Sequence, residues 1–183
     1  NCRVDYGSEY QYQEPVKTDK TLLVTVSQSG EKADTLSSLK FAKKTGNPLS
    51  LAVCNVANSS ICQESDFTLL TNAGPEIGVA STKAFVTQLT ALNLLLLTLM
   101  KVHNRLPRSR KKITKALNEL PKHLEKTLKQ ADVYKKVAKQ LFKKNSTLFL
   151  GRGLYFPIAR EGALKLKEIS YIHAEAYPGG ELK

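Results

Sequence analysis

Two short groups of residues in this 183-residue chain have the types and spacing for phosphate and proton chemistry. The first is Ser27-Gln28-Ser29-Gly30, set just ahead of a stretch with helical spacing. A strand that hands over to a helix through such a turn aims backbone N–H groups outward at the positive end of the helix dipole. The hydroxyls of Ser27 and Ser29 add uncharged donors, which together make a phosphate cradle. Serine before a helix is also an ordinary N-cap, and local chemistry leaves both readings open. The loop is not of the GxxxxGK[ST] type. The second group is Glu161, Lys165 and Glu168, which share one helical face by their spacing. A carboxylate and an amine one turn apart can shift a proton between neighbouring carbons and move a hydroxyl proton, as aldose–ketose isomerisation requires. An exposed salt-bridged stripe has the same spacing, and spacing alone favours the stripe. Ser81 reads as the cap of an apolar helix. His173 is isolated and reads as a surface or packed residue rather than a ligand. The Asn58-Ser59-Ser60 and Asn145-Ser146-Thr147 sequons are read as chance matches.

The elements that must position these residues alternate between strand and helix. Leu22 to Val26 predicts a buried parallel strand closed by the Ser27–Gly30 loop. A helix follows over 31–44, with Gly46-Asn47-Pro48 as its stop signal. Strands are expected at 49–54 and 67–70, and residues 55–65 read as loop with one short helix. Asn72 to Ala80 is a glycine-bearing loop ahead of a helix over about 82–102. That helix is strongly apolar, but Lys83 and Lys101 bracket 17 residues interrupted by Thr, Gln and Asn. Spanning a membrane takes about 20 mostly apolar residues. The expectation is therefore a helix buried in a domain or subunit interface. Residues 104–110, with Pro107, read as a linker. A strand at 147–150 leads through Gly151-Arg152-Gly153 to a helix over 156–172, and 174–183 reads as a Gly/Pro-bearing tail. The unit of strand, small-residue loop and helix thus occurs at 21–44 and again at 147–172. This predicts an α/β fold of two related units with parallel sheets.

Charge is concentrated rather than spread. Residues 101–144 carry 15 Lys/Arg and 3 acids, which accounts for the whole net charge of +12. Apolar residues recur through this block at helical spacing, so it reads as a pair of amphipathic helices with solvated lysine faces. A nucleic-acid footprint is the rival reading, but Tyr134 and Phe142 are the only aromatics there for base stacking. Apolar residues make up 42% and charged residues 24%, which excludes wholesale disorder. Three cysteines, Cys2, Cys54 and Cys62, are not a disulfide framework, and with the three histidines they show no zinc spacing.

Three stretches together carry a family resemblance: Ser27-Gln28-Ser29-Gly30-Glu31 with Ala33-Asp34-Thr35, Glu76 to Phe85, and Glu161 to Glu175. In this order they resemble the isomerase half of the glutamine–fructose-6-phosphate aminotransferase family. Ala174-Glu175-Ala176-Tyr177 is similar to the bacterial members. The resemblance implies two sugar-isomerase (SIS) domains, here 1–104 and 105–183, both incomplete. It implies that Ser27, Gln28 and Ser29 hold a sugar phosphate, that Val79 and Ser81 line the sugar pocket, and that Glu168 is the base for the C1–C2 proton shift with Lys165 assisting the hydroxyl proton. It further implies fructose 6-phosphate and glutamine as substrates, ammonia from an N-terminal glutaminase domain, a cytoplasmic homodimer, no metal or organic cofactor, and neither nucleic acid nor membrane as partner.

The chain also departs from the family pattern. Lys32 stands where the family has a phosphate-binding Thr. The chain is expected to begin after the family's first SIS strand and to stop before the His-Gly-Pro segment whose His opens the sugar ring. Cys2 does not have the context of the glutaminase nucleophile. A fragment inactive by itself is the expectation. The alternative function is a non-catalytic SIS module that senses a phosphosugar in a regulator, which would keep the serine loop without needing Glu168.

Overall fold

The computed structural model describes residues 2–13, 20–46 and 48–182. Asn1, Asn47 of the expected stop signal and Lys183 of the expected tail lie outside these. The chain divides into two compact units, one of residues 1–76 and 82–107, the other of 77–81 and 108–183.

The first unit is built on three parallel strands, β1 (Leu22–Ser27), β2 (Leu49–Cys54) and β3 (Phe67–Leu70), in the order β1-β2-β3. Pairing runs from Leu22 with Leu49 to Ser27 with Cys54, and from Leu51 with Phe67 to Cys54 with Leu70. β2 is the central strand, and every residue from Ser50 to Cys54 is buried. β1, expected to be buried, is an edge strand among the described residues: Thr25 and Ser27 are buried, but Leu22 and Val26 are exposed. Alternating exposure is what an edge with one covered face produces.

The helix α1 (Ala33–Thr45) crosses from β1 to β2. Asp34 lies in its first turn and Lys43 and Lys44 in its last, matching the helix dipole. It buries Leu39 against Ala52, Cys54, Ile61 and Cys62. Fully burying such a leucine is worth roughly 1.5–3 kcal/mol. The short helix α2 (Ser60–Glu64) closes the other end of this cluster. Asp66 ties the start of β3 to β2 and α1. It accepts from the Ser50 N–H at 2.8 Å and the Ser50 hydroxyl at 2.6 Å, and pairs with Lys43 at 3.2 Å.

α3 (Lys83–Val102) is 20 residues long, with mean hydropathy 1.6, enough in length and composition to cross a membrane. Of the expected domain or subunit interface, its own unit covers the helix only in part. Ala84 and Ala91 are its buried residues, while Leu94 and Leu96 are about half exposed. Its small residues allow close approach to the sheet on one side, and among the described residues the leucines on the other stay about half open to solvent.

The second unit contains α4 (Arg110–Leu128), α5 (Ala131–Leu141), β4 (Ser146–Gly151), α6 (Tyr155–Ser170) and β5 (His173–Pro178). β4 and β5 pair in parallel, and α6 makes the crossover. Half of the segment expected to be a tail, 174–178, is thus strand. Tyr171 makes the turn in the left-handed region, φ 58°, which joins helix to strand without a glycine or proline. Gly151 lets α6 start close to β4: a Cβ there would lie 2.7 Å from Phe156 Cα and nearer still to the Tyr155 carbonyl. The expected pair of basic amphipathic helices is present as α4 and α5. Neither has a buried residue, and Leu128 and Phe142 are 76% and 66% exposed.

The hydrogen bonds from Ser50 and Lys43 hold the Asp66 carboxyl down at about 2. The ordinary aspartate value, near 3.9, applies to the unfolded chain, so Asp66 favours the fold above that pH and loses its contribution as pH falls toward 2. Asp66→Asn is expected to lower Tm at pH 7. In thermal melts from pH 7 to 2, the gap between wild type and variant should close between about pH 4 and 2. A gap of constant size would show that the charge plays no part.

Candidate functional site

The serine loop sits at the C-terminal end of β1, where a doubly wound sheet presents backbone N–H groups. Ser27 is buried and Gln28 and Ser29 are half-buried. The Ser27 hydroxyl oxygen accepts from the Gly30 N–H at 3.0 Å, and the Ser29 oxygen accepts from the Glu31 N–H at 3.2 Å. Each hydroxyl thereby uses an acceptor position within the loop, which leaves its O–H as a donor. Gly30 has φ +70°, and a Cβ on it would overlap the Ser59 side chain and lie 2.8 Å from Cys54 Sγ. Both the backbone sign and the close approach therefore require glycine.

The loop is bonded to the segment after β2. The Asn55 N–H donates to the Gln28 carbonyl at 3.2 Å, and the Ile61 N–H donates to the Gly30 carbonyl at 3.0 Å. The Asn55 side chain reaches the other way, accepting from the Ala73 N–H at 2.7 Å and donating to the Gly74 carbonyl at 2.8 Å. One residue thus ties the chain leaving β1 to the chain leaving β3. The Glu31 carboxylate accepts from the Ser60 N–H at 2.8 Å and the Ser60 hydroxyl at 2.7 Å. These bonds hold Glu31 below the usual glutamate value. Lys32 is the exposed N-cap residue of α1, and its side chain makes no capping hydrogen bond.

Ser81 is not the cap of α3. The N-cap is Thr82, without a side-chain capping bond of its own. Glu76 does the capping: it accepts from the Thr82 N–H at 3.2 Å, the Thr82 hydroxyl at 3.1 Å and the Ala84 N–H at 3.0 Å. The Ala84 N–H is the chief reason its carboxyl lies below the usual range. Val79 is 91% exposed and Ser81 half-buried, and both belong to the second unit.

On α6 the spacing of Glu161, Lys165 and Glu168 becomes contact. Lys165 Nζ lies 3.1 Å from Glu161 Oε1 and 3.0 Å from Glu168 Oε2. Partial burial works against the charge on Lys165, but its bonds to Glu168 and Glu161 outweigh this and raise it above the usual lysine range. The amine is therefore an ammonium donor at neutral pH. His173 is exposed at the head of β5, 3.3 Å from Glu175, which also accepts from the Tyr177 hydroxyl at 2.6 Å. Among the described residues no three His, Cys, Asp or Glu side chains group as a metal site.

The structure thus places Ser27, Gln28 and Ser29 on one loop and Lys165 and Glu168 in one ion-paired face. The capping roles of Glu31 and Glu76 were not visible in the sequence. Glu31 meets its partner Ser60 across 29 residues, and no local motif announces such a pair.

The chain has wide similarity to known proteins. The SIS domain family matches it over residues 1–98 and 140–183. The glutamine–fructose-6-phosphate aminotransferase [isomerizing] of Pseudomonas syringae pv. tomato is 56% identical over all 183 residues, and that of Idiomarina loihiensis 51%. The chain spans 30% of the length of each. The C-terminal domain of glucosamine-fructose-6-phosphate aminotransferase from Francisella tularensis superposes with a TM-score of 0.93 at 50% identity, over 99% of this chain and 51% of that one. A glucosamine-6-phosphate deaminase from Thermotoga maritima shares the fold alone, with a TM-score of 0.71 at 23% identity, over 96% of this chain and 51% of that one. The motif matches, the half-identical relatives and the superposition converge, and the chain belongs to the SIS domain family.

Proposed function

We propose that this chain is part of the isomerase region of a glutamine–fructose-6-phosphate aminotransferase, which forms glucosamine 6-phosphate and glutamate from fructose 6-phosphate and glutamine. The observation that carries the reading is the Ser27–Ser29 loop, whose two hydroxyls bond inward as acceptors and keep donors for a phosphate. Its hydroxyls and the N–H groups opening α1 hold the sugar phosphate, with Gln28 beside them. Val79 and Ser81 contact the sugar. Glu168 carries the proton between C1 and C2, and Lys165, held protonated, serves the hydroxyl. Two SIS domains, 1–104 and 105–183, a glutaminase domain that supplies ammonia, a homodimer and a cytoplasmic location belong to the same proposal. So does the absence of metal, organic cofactor, nucleic acid and membrane from the reaction. The Lys165 contacts with Glu161 and Glu168 favour an enzyme over a regulator module, which needs only the phosphate loop.

A thermal-shift titration tests the ligand. At a hundredfold excess over Kd, fructose 6-phosphate is expected to raise Tm by about 5–10 °C. Fructose should leave Tm unchanged, and Ser27→Ala/Ser29→Ala should abolish the shift. An equal shift with inorganic phosphate would reduce the site to a general anion site. No shift in a cooperative melt would count against the cradle. Gly30→Ala is expected to destabilise the chain by roughly 2–5 kcal/mol, from left-handed strain plus overlap with Ser59, and to lose the ligand shift.

A further inference from the structure

We propose that Glu31 is the positioning residue of the phosphate loop, fixing the Ser27–Ser29 hydroxyls by anchoring the loop to the first turn of α2. The inference rests on the phosphosugar reading of that loop. Three consecutive residues are held from outside or from each other. The Ser29 oxygen accepts from the Glu31 N–H, Gly30 offers its carbonyl to the Ile61 N–H, and the Glu31 carboxylate takes both donors of Ser60. Two of these links lead to α2, and both meet it at adjacent residues, Ser60 and Ile61. Ile61 is fully buried in the core cluster, so its end of the link is rigid.

The Glu31 side chain is exposed and its carboxylate bonds to Ser60 rather than to Ser27, Gln28 or Ser29, so it acts through the loop backbone. Releasing its carboxylate leaves the loop, which turns at the conformationally permissive Gly30, with one hydrogen bond to α2 in place of three. A loop that holds its binding geometry for only a fraction of the time binds more weakly by that fraction. Glutamate suits the role because a carboxylate offers two oxygens to two donors on one residue. Its depressed proton affinity keeps both oxygens available throughout neutral pH.

The test uses this chain with fructose 6-phosphate and, separately, inorganic phosphate in calorimetric titrations, alongside hydrogen exchange of the loop amides without ligand. Glu31→Ala is expected to raise exchange at Gly30 and Glu31 and weaken both ligands by about tenfold. Glu31→Gln, whose amide oxygen still accepts from the Ser60 N–H, should stay within about threefold of wild type. Ser60→Ala should weaken binding in the wild-type background and add nothing to Glu31→Ala. Asp66→Asn, which loosens the same unit away from the loop, should lower Tm and leave both readouts unchanged. Unchanged exchange or unchanged affinity in Glu31→Ala overturns the proposal, as does an equal loss in Asp66→Asn. If Glu31→Ala does not fold, Glu31→Gln and Ser60→Ala decide it by the same readouts. If wild type binds neither ligand, the phosphosugar reading fails, and loop exchange still decides whether Glu31 orders the loop.

Discussion

The first unit depends on the burial of β2. From Ser50 to Cys54 the strand is buried, so its backbone donors and acceptors must be paired within the protein. Parallel neighbours on both sides meet that demand, and parallel pairing in turn requires a crossover helix or loop on the way to each strand. The crossovers bring all three strand ends to one side. There the last pairs, Ser27 with Cys54 and Cys54 with Leu70, place three chain exits side by side. Asn55, the first residue beyond β2, joins them by bonding to Gln28 and to the segment after β3. The geometry of the serine loop is therefore a consequence of how the central strand satisfies its backbone.

How much of this was legible in the sequence depends on the range of the interactions. Leu49-Ser50-Leu51-Ala52-Val53-Cys54 announces a strand because a mostly apolar run follows the Gly46-Asn47-Pro48 stop signal, and the observed β2 and β3 have the expected limits. The serine loop was legible because strand, small residues and helix adjoin in the chain. β5 was not. Ala174-Glu175-Ala176 has little intrinsic strand preference, and it is a strand because β4 pairs with it along six residues. The turn before it is made by Tyr171 at positive φ, where a reader looks for glycine. Glu76 shows the same limit in the other loop. Serine at position 81 has the chemistry of a cap, yet the carboxylate reaching back over the loop offers a charged acceptor to two N–H groups and takes that role.

Apolar periodicity likewise fixed the helices but not what covers them. In α4 and α5 the leucines and valines recur where an amphipathic helix needs them, yet these residues stay largely open to solvent. α3 combines buried alanines on one side with half-exposed leucines on the other. Amphipathic pattern states that a face is to be covered and is silent on the partner. For β1 the same ambiguity explains why an apolar β-branched run turned out to be an edge: Val26 has the composition of a central strand, and the neighbour count is set by topology.

The Glu161, Lys165 and Glu168 face shows why contact matters more than spacing. An isolated exposed pair contributes little and constrains nothing. Here one ammonium is shared by two carboxylates, each within 3.1 Å, on a partly buried face. The carboxylates stabilise the protonated form enough to overcome the desolvation that opposes it. An amine held in that form can donate but cannot abstract a proton. If this face performs the proposed isomerisation, the base at carbon must be a carboxylate, with the lysine restricted to the oxygen.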